Sequence, residues 1–360
     1  MAILDPTKDS VLVIHGMGTH EEGANKKEVN DALNEAARGF GLKNFDFEKQ
    51  VNLIEFNYSD FLDELRNKDG THGDTLTEHI TFLQGYGLGV KLVSKLIKAL
   101  SDFDEDEMIY THWLDVLYYG ETLYGEKIRV DLALKLIDLL QASNVNGRKV
   151  HVIAHSLGTA ILHDTLAELY DPDEPMKGKV PELPTSLLAL DSIFQIANVS
   201  RLVHLLSEVD DPNRSIVNSD GKGACQLLFS VRNQYDPFTW FKTYKRPIVN
   251  GGLMKHETVR VVNTHDLKEY VLSPSVARAI LGSICLKRIS KTAFSAYEKE
   301  HAKNSITNKF EELKASFDEL KLTAFELEDA TFTDKVKALK LFFYVMKEFT
   351  ALADTIIDTE

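Results

Sequence analysis

HVIAHSLGTA, residues 151–160, is the stretch that decides the fold, because an apolar run passes directly into a histidine, a serine and a glycine. A short apolar and β-branched run that breaks into small residues is typical of a buried strand ending in a tight turn. A serine on such a turn adopts a sparsely populated backbone conformation, so the residues two positions away must be small. Ala154 and Gly158 meet that requirement around Ser156. We therefore predict a strand, a turn and a helix here.

Ser156 has two interpretations on this stretch alone. Serine is a common N-cap residue, so Ser156 could simply cap the helix that follows. It could also be a nucleophile, because ligands bind beyond the carboxyl ends of the strands in open α/β sheets and a helix N-terminus favours negative charge. The order of the motifs around it favours the nucleophile.

Apolar strands alternate with amphipathic helices over residues 1–289, which we interpret as one domain. The pattern predicts strands within 11–20, 51–60, 150–156, 186–191, 226–233 and 258–264, and helices at 26–40, 126–141 and 159–171. Strands that alternate with helices form a mostly parallel sheet covered on both faces. The predicted fold class is therefore α/β, with helices on both faces of a central, mostly parallel sheet.

The composition narrows the class of protein. The chain has 360 residues, of which 44% are hydrophobic and 27% charged, as in globular domains. Its net charge of −14 argues against a nucleic-acid partner, because binding to a phosphate backbone needs clustered Lys and Arg. Cys225 and Cys285 are the only cysteines, and no apolar run approaches the roughly 20 residues that span a bilayer. We expect a soluble, cytoplasmic protein in a reducing compartment.

Residues 290–360 have a different pattern and are predicted to form a helical hairpin. Their apolar residues recur at helical spacing in two stripes: Phe310, Leu313, Phe317 and Leu320, then Val336, Leu339, Phe342, Val345 and Met346 behind a predicted Thr333 cap. Such stripes are usually buried, which favours packing on the core. The alternative is a surface that binds a protein partner.

A nucleophilic serine needs further groups, and the sequence offers them. The oxyanion formed on attack is stabilised by two backbone N–H donors, one from the residue after the serine and one from a loop after an earlier strand. Leu157 is predicted to supply the first donor and Met17, within HGMG (residues 15–18), the second. The residues predicted to support this loop and the serine turn are His15, Gly16, Gly18, His155 and Gly158.

The base and its orienting acid are predicted from chain order. In this type of fold the serine is followed by the acid and then by the histidine, each on a loop after a strand. His265 follows the last predicted strand, and His256, just before that strand, is the alternative base. Asp236 follows the strand before it, with Asp191, one strand earlier, as the alternative acid. Next to Pro237, Asp236 could also be only a turn former.

Five segments in this order carry a resemblance: VLVIHGMG, VNLIEFNYSD, DVLYY, VHVIAHSLGTAILHDTL and SLLALDSIFQI. Over roughly residues 10–282 the chain resembles the α/β-hydrolase superfamily. Within it, the chain is similar to the lipase-like serine esterases that include the intracellular phospholipase A1 group with a DDHD domain and the GPI-inositol deacylases. The resemblance implies an α/β-hydrolase fold and cleavage of carboxylic esters, as in lipid or acyl esters, through an acyl-enzyme on Ser156. We expect no cofactor and no metal.

The chain departs from those families at three places. Ala154 replaces the first glycine of the serine turn, Asp191-Ser192-Ile193 stands where Gly-Ser-Pro is usual, and the tail after about residue 290 has no counterpart. Two alternative functions remain open. One is a catalytically silent α/β-hydrolase that binds a partner through its C-terminal helices, and the other is an acyltransferase or thioesterase that uses the same three residues.

An insertion at about 60–110 separates NYSDF from DVLYY. Its segment 81–100 is apolar on one side and carries lysines on another, which is typical of a helix that lies on a lipid surface. As a lid it would contact a membrane surface transiently, whereas as a fixed cap it would bury its apolar stripe, and the cap is favoured. The acidic run DFDEDE (102–107) has no His or Cys at ligand spacing and predicts a solvated loop.

Overall fold

The computed structural model describes residues 4–59, 62, 115–116, 119–120, 123–171, 176, 178–182, 184, 187–207, 209–325 and 335–357. The predicted insertion at about 60–110 lies outside the described residues except for residue 62, so the choice between a lid and a fixed cap at 81–100 stays a prediction. The acidic run 102–107 and Thr333 also lie outside them.

A six-stranded sheet forms the centre of the protein. Its strands are β1 (Asp9–Ile14), β2 (Val51–Phe56), β3 (Val150–His155), β4 (Leu190–Ile196), β5 (Cys225–Asn233) and β6 (Gly251–His256). They are all parallel and lie in the order β2-β1-β3-β4-β5-β6. The predicted parallel sheet is therefore confirmed.

Helices cover both faces of this sheet. In chain order they are α1 (Ala24–Gly39), α2 (Phe47–Gln50), α3 (Leu123–Val145), α4 (Leu157–Tyr170), α5 (Ser200–Ser207), α6 (Leu267–Leu272), α7 (Pro274–Ser283), α8 (Lys291–Lys303), α9 (Thr307–Glu312), α10 (Lys314–Phe325) and α11 (Lys335–Ile357). Side chains alternate along each strand, so Val11 and Val13 pack with α1, α6, α7 and α8, whereas Leu12 and Ile14 pack with α3, α4 and α5. The predicted α/β class is confirmed.

The loops after β1 and β3 meet at a crevice on the carboxyl edge of the sheet. β1 lies between β2 and β3, and the chain leaves β1 for α1 on one face and β3 for α4 on the other. A reversal of strand order of this kind is where open α/β sheets bind ligands. The fold therefore brings residues 15–20 and Ser156 to the edge where a site is expected.

Two of the predicted strands are misplaced. β4 begins only at Leu190, so the prediction of a strand at 186–191 is wrong for most of its length. The error arose because Asp191 looked like a strand end, whereas its carboxylate accepts a hydrogen bond from the N–H of Val150 at 3.0 Å and is satisfied inside the sheet. Asp191 therefore lies at the amino end of β4, away from the crevice.

The prediction of a strand at 258–264 is also wrong. The last strand is β6, whose first residue, Gly251, has φ 121° and approaches Leu228 so closely that a Cβ there would lie 1.8 Å from the Leu228 carbonyl oxygen. The segment after β6 is held instead by residues that begin α9: Val259 donates to Thr307 Oγ1 at 2.9 Å and accepts from the N–H of Ile306 at 2.8 Å.

The C-terminal helices pack on the residues that follow β5. Phe310 and Phe317 are buried, and their rings lie 5.3 and 6.1 Å from the ring of Tyr235. Phe349 of α11 meets Trp240 edge-on at 5.8 Å. The side chains of Leu320, Val336, Leu339 and Phe342 lie outside the described part of the chain. Among the described residues, no helix has the length and apolar character needed to cross a membrane.

Helix α4 starts directly against the end of β1. A Cβ built on Gly158 would lie 2.4 Å from the carbonyl oxygen of His15 and 2.9 Å from Ile14 Cγ2. The nearest of these is a backbone atom, which cannot move aside as the tip of a long side chain can. Glycine at this position is therefore required by the close approach of the two backbones.

Gly158→Ala is expected to lower the free energy of unfolding by about 1–3 kcal/mol, because the added methyl group overpacks the contact with β1. Gly252→Ala is the matched control, since a Cβ built there has no neighbouring atom within 4 Å. Urea denaturation of both variants and of the wild type measures the difference. Equal unfolding midpoints for the two variants would show that the backbones are not in close contact.

Candidate active site

Ser156 occupies a strained turn between β3 and α4. Its backbone has φ 52° and ψ −125°, a conformation that side-chain-bearing residues rarely adopt. The N–H of Ser156 donates to the carbonyl of Ile196 at 3.0 Å, and its carbonyl accepts from the hydroxyl of Thr159 at 2.6 Å. Its side chain makes no capping hydrogen bond to α4. The interpretation of Ser156 as a simple helix cap is therefore wrong.

The hydroxyl of Ser156 is instead joined to a histidine and an aspartate. Ser156 Oγ lies 2.7 Å from His265 Nε2, and His265 Nδ1 lies 2.8 Å from Asp236 Oδ2. Asp236 is fully buried, whereas the side chain of His265 keeps 13% of its surface exposed. The structure thus brings together three residues that the sequence predicted as a set, from three different strand ends.

The alternative acid and base do not reach this set. Asp191 lies at the opposite end of its strand, as described above. His256 is the last residue of β6, and its Nδ1 faces the side-chain amide of Asn233 at 3.3 Å. Asp236 is also more than a turn former, although it does accept a local hydrogen bond from the N–H of Phe238 at 3.0 Å.

Tyr270 is a further partner of Asp236 that the sequence did not reveal. Its hydroxyl donates to Asp236 Oδ2 at 2.6 Å and accepts from the N–H of Asn233 at 2.8 Å. Burial and the neighbouring carboxylate raise the pKa of the Tyr270 phenol well above its usual value, so it remains a donor at neutral pH. One carboxylate oxygen of Asp236 therefore faces both His265 and Tyr270.

His155 supports the backbone of His265 and does not bond to Ser156. Its Nε2 donates to the carbonyl of His265 at 2.9 Å, which fixes the proton on that nitrogen. Burial, together with the nearby His265, lowers the pKa of His155 well below the ordinary histidine value. His155 is thus a neutral ring that holds the histidine loop in place. The ring of Phe238 lies on another side of His265, with centroids 4.2 Å apart.

The loop after β1 lies directly against Ser156. A Cβ built on Gly16 would be 2.9 Å from Ser156 Cβ and 3.0 Å from His155 Nδ1. Gly18 has φ 93°, in the left-handed region that favours glycine. His15 is fully buried and bonds to the carbonyl of Gly16 through Nδ1 at 2.7 Å. Of the predicted loop residues, Gly16 therefore lies beside the serine, and His15 holds the carbonyl of Gly16.

Met17 and Leu157, the two predicted N–H donors, directly follow the two residues in contact, Gly16 and Ser156. Leu157 is the first residue of α4, and the first N–H groups of a helix have no acceptor within the helix. Within the described part of the chain, neither the N–H of Met17 nor that of Leu157 donates to a backbone carbonyl. Both side chains are buried. Each of these two N–H groups thus belongs to the residue next to that contact.

A second Ser–His–Asp set lies elsewhere in the core. His163 bonds through Nδ1 to Asp164 and through Nε2 to Ser215 Oγ, each at 2.8 Å. All three side chains are at least nine-tenths buried, and Tyr119 donates to the same aspartate at 2.8 Å. This set has no exposed edge. It is a structural network inside the core.

The described part of the chain holds no set of side chains arranged as metal ligands. There, no group of three or more His, Cys, Asp or Glu side chains has an arrangement that could hold a metal ion. The histidines nearest to Ser156 are His155 and His265, and each is occupied by the protein contacts given above.

Stability is expected to fall as the pH falls from about 6.5 to about 4. Burial lowers the pKa of His151 and of His301 to about 4, so both stay neutral in the folded protein. In the unfolded chain these rings bind a proton near pH ~6.5. The unfolded state therefore binds more protons in this range, and the free energy of unfolding decreases with decreasing pH.

Urea denaturation at several pH values measures this dependence. In His151→Gln, the decrease in the free energy of unfolding between these pH values should be smaller than in the wild type, because one buried imidazole is gone. A decrease of the same size in both proteins would show that His151 does not contribute to it.

No protein-family model matches this chain, and no curated protein matches it either. Interpretation of the site therefore depends on its geometry and on the motifs of the sequence.

Proposed function

We propose that this chain is an α/β-hydrolase that cleaves carboxylic esters, of lipid or acyl type, through an acyl-enzyme on Ser156. The observation that carries the proposal is the contact of the Ser156 hydroxyl with His265 Nε2 at 2.7 Å, made from a strained turn at the carboxyl edge of the sheet. A helix cap would not need that backbone conformation, and its hydroxyl would face the helix N–H groups.

His265 would act as the general base. Its Nδ1 proton is donated to Asp236, so the lone pair of Nε2 accepts the proton of the Ser156 hydroxyl. The serine oxygen attacks the ester carbonyl carbon, and the negative charge moves to the carbonyl oxygen. The N–H groups of Met17 and Leu157 would stabilise that charge.

The first half of the reaction ends when the alcohol leaves, and the second half repeats the same roles with water. The proton on His265 Nε2 passes to the leaving alcohol, whose bond to the acyl carbon breaks. Water then attacks the acyl carbon while His265 Nε2 removes its proton, and that proton passes to Ser156 Oγ as the bond between Oγ and the acyl carbon breaks and the acid product leaves. Asp236 accepts from His265 Nδ1 and so holds the histidine in the useful tautomer, and Tyr270 donates to Asp236.

The substrate class is proposed from the surroundings and from the sequence. The ring of Phe238 lies against His265 and gives the described part of the site an apolar side. In the lid interpretation of segment 81–100, its apolar and basic sides would suit an acyl or lipid ester taken from a membrane surface. Both cysteines are free thiols, which supports a cytoplasmic location.

A fluorophosphonate probe is expected to label the wild type, and Ser156→Ala should abolish the labelling because the probe reacts only with an activated serine. Hydrolysis of p-nitrophenyl butyrate should fall by roughly 1,000-fold or more in the same variant. Ser215→Ala is the matched control, since Ser215 belongs to the buried Ser–His–Asp set and should leave labelling unchanged. Labelling that persists in Ser156→Ala would refute the assignment.

The acyl preference tests the substrate class separately. We expect kcat/KM to rise from short to long p-nitrophenyl esters, because a longer chain buries more apolar surface at about 25 cal/mol per Å². Anionic phospholipid vesicles are expected to increase the rate for the long esters. A preference for short esters that vesicles do not alter would exclude a lipid substrate and leave the esterase itself intact.

A further inference from the structure

In the loop after β1, the first peptide plane, between Gly16 and Met17, is held by two hydrogen-bond donors. The carbonyl oxygen of Gly16 accepts hydrogen bonds from the Tyr58 hydroxyl at 2.5 Å and from His15 Nδ1 at 2.7 Å. A trans peptide is planar, and its C=O and N–H point in opposite directions. The N–H of Met17 therefore points away from Tyr58 and His15.

The second peptide plane, between Met17 and Gly18, is held both at its carbonyl oxygen and at its N–H. The carbonyl oxygen of Met17 accepts from His20 Nε2 at 3.0 Å, and the N–H of Gly18 donates to Asp115 Oδ2 at 2.8 Å. Asp115 is fully buried, although it stands 97 positions further along the chain. Rotation of either plane would break two hydrogen bonds, so the orientation of the N–H of Met17 is set by two histidines of the loop and by Tyr58 and Asp115 from outside it.

The backbone of Tyr58 also contacts the ring of His15. The carbonyl oxygen of Gly16 can only accept, so Nδ1 is the nitrogen of His15 that donates to it, while the N–H of Tyr58 and Asn57 Oδ1 each lie 3.0 Å from Nε2. The two rings are stacked, with centroids 4.0 Å apart and an interplanar angle of 15°. Tyr58 thus acts on the Gly16 carbonyl directly and through His15.

We propose that Tyr58 and Asp115 are positioning residues that hold the N–H of Met17 in the direction of the oxyanion formed at Ser156. The proposal rests on the esterase function proposed above. Neither side chain is placed on the reacting atoms, and each acts through the peptide planes of residues 16–18. Because the oxyanion exists only after attack, their loss should reduce stabilisation of the transition state more than binding of the ester.

Tyr58→Phe keeps the stacked ring and removes the hydroxyl, which donates to the carbonyl of Gly16 and, at 3.2 Å, to that of His15. We expect kcat/KM for p-nitrophenyl butyrate to fall about 10- to 100-fold, with KM changed by less than about 2-fold. The inhibition constant of a trifluoromethyl ketone, whose serine adduct carries an oxyanion, should rise by a similar factor. Rates are normalised to the serine titrated by a fluorophosphonate, so that loss of folded protein does not contribute.

Tyr297→Phe is the matched control. Tyr297 is also a buried tyrosine whose hydroxyl donates to a backbone carbonyl, that of Leu272, at 2.9 Å. Its removal should leave both normalised values within about 2-fold of the wild type. Normalised values for Tyr58→Phe that equal those of the wild type would overturn the proposal. An equal fall in both variants would overturn it too, because the effect would then be general loosening.

His20→Ala keeps the proposal testable if Tyr58→Phe does not fold. The His20 ring is only partly buried, and its removal takes the donor away from the carbonyl of Met17. The trifluoromethyl ketone should bind at least several-fold more weakly with KM unchanged, and unchanged inhibition would contradict the role of the held planes. A wild type that the fluorophosphonate fails to label would instead refute the proposed function.

Discussion

The site depends on the close approach of two backbones at the carboxyl edge of the sheet. Gly158 lets α4 start against the carbonyl of His15, and Gly16 lets the loop after β1 lie against Ser156. A side chain at either position would separate the serine from the N–H of Met17. The strained φ of 52° at Ser156 is maintained because neighbouring strands and α4 hold both sides of its peptide. Strain of this kind persists only where the surroundings over-determine it.

A second set of contacts holds the loops that carry Asp236 and His265 in place beside Ser156. The hydroxyl of Thr264 donates to the carbonyl of Tyr235 at 2.8 Å, which ties the loop that carries His265 to the loop that carries Asp236. Tyr235 in turn packs on Phe310 and bonds through its hydroxyl to Glu311. Helix α9 therefore contacts the residue next to the acid. Removal of the C-terminal helices would uncover this loop as well as any surface that they offer to a partner.

The sequence predicted those parts of the structure that depend on local pattern. Short apolar runs marked β1, β2, β3 and β5, and the small residues around Ser156 marked the turn. The two misplaced strands show the limit of that signal: Asp191 is a charged residue inside a strand, and residues 258–264 are apolar but bonded to the start of α9. Their pairing is set by partners distant in the chain, which periodicity does not record.

Chain order was enough to predict three residues of the site, and no more. Ser156, Asp236 and His265 follow strand ends in the order that this chemistry uses, so their meeting was expected. Tyr58, Asp115 and Tyr270 were not predicted as site residues, although the first two lie inside quoted motifs. Each acts through hydrogen bonds to residues 34 to 97 positions away, and a tyrosine or aspartate with such a role looks like any other in the sequence.

The two Ser–His–Asp sets show what separates a site from a network. Their hydrogen-bond lengths are nearly equal, at 2.7 and 2.8 Å around His265 and 2.8 Å twice around His163. His265, beside Ser156, keeps 13% of its side-chain surface exposed, whereas His163 keeps 1%. Ser156 also has positive φ, is followed directly by Leu157 and lies against the loop that carries Met17. A relay of three side chains is therefore not sufficient, because the reaction also needs access and two fixed donors for the charge that attack creates.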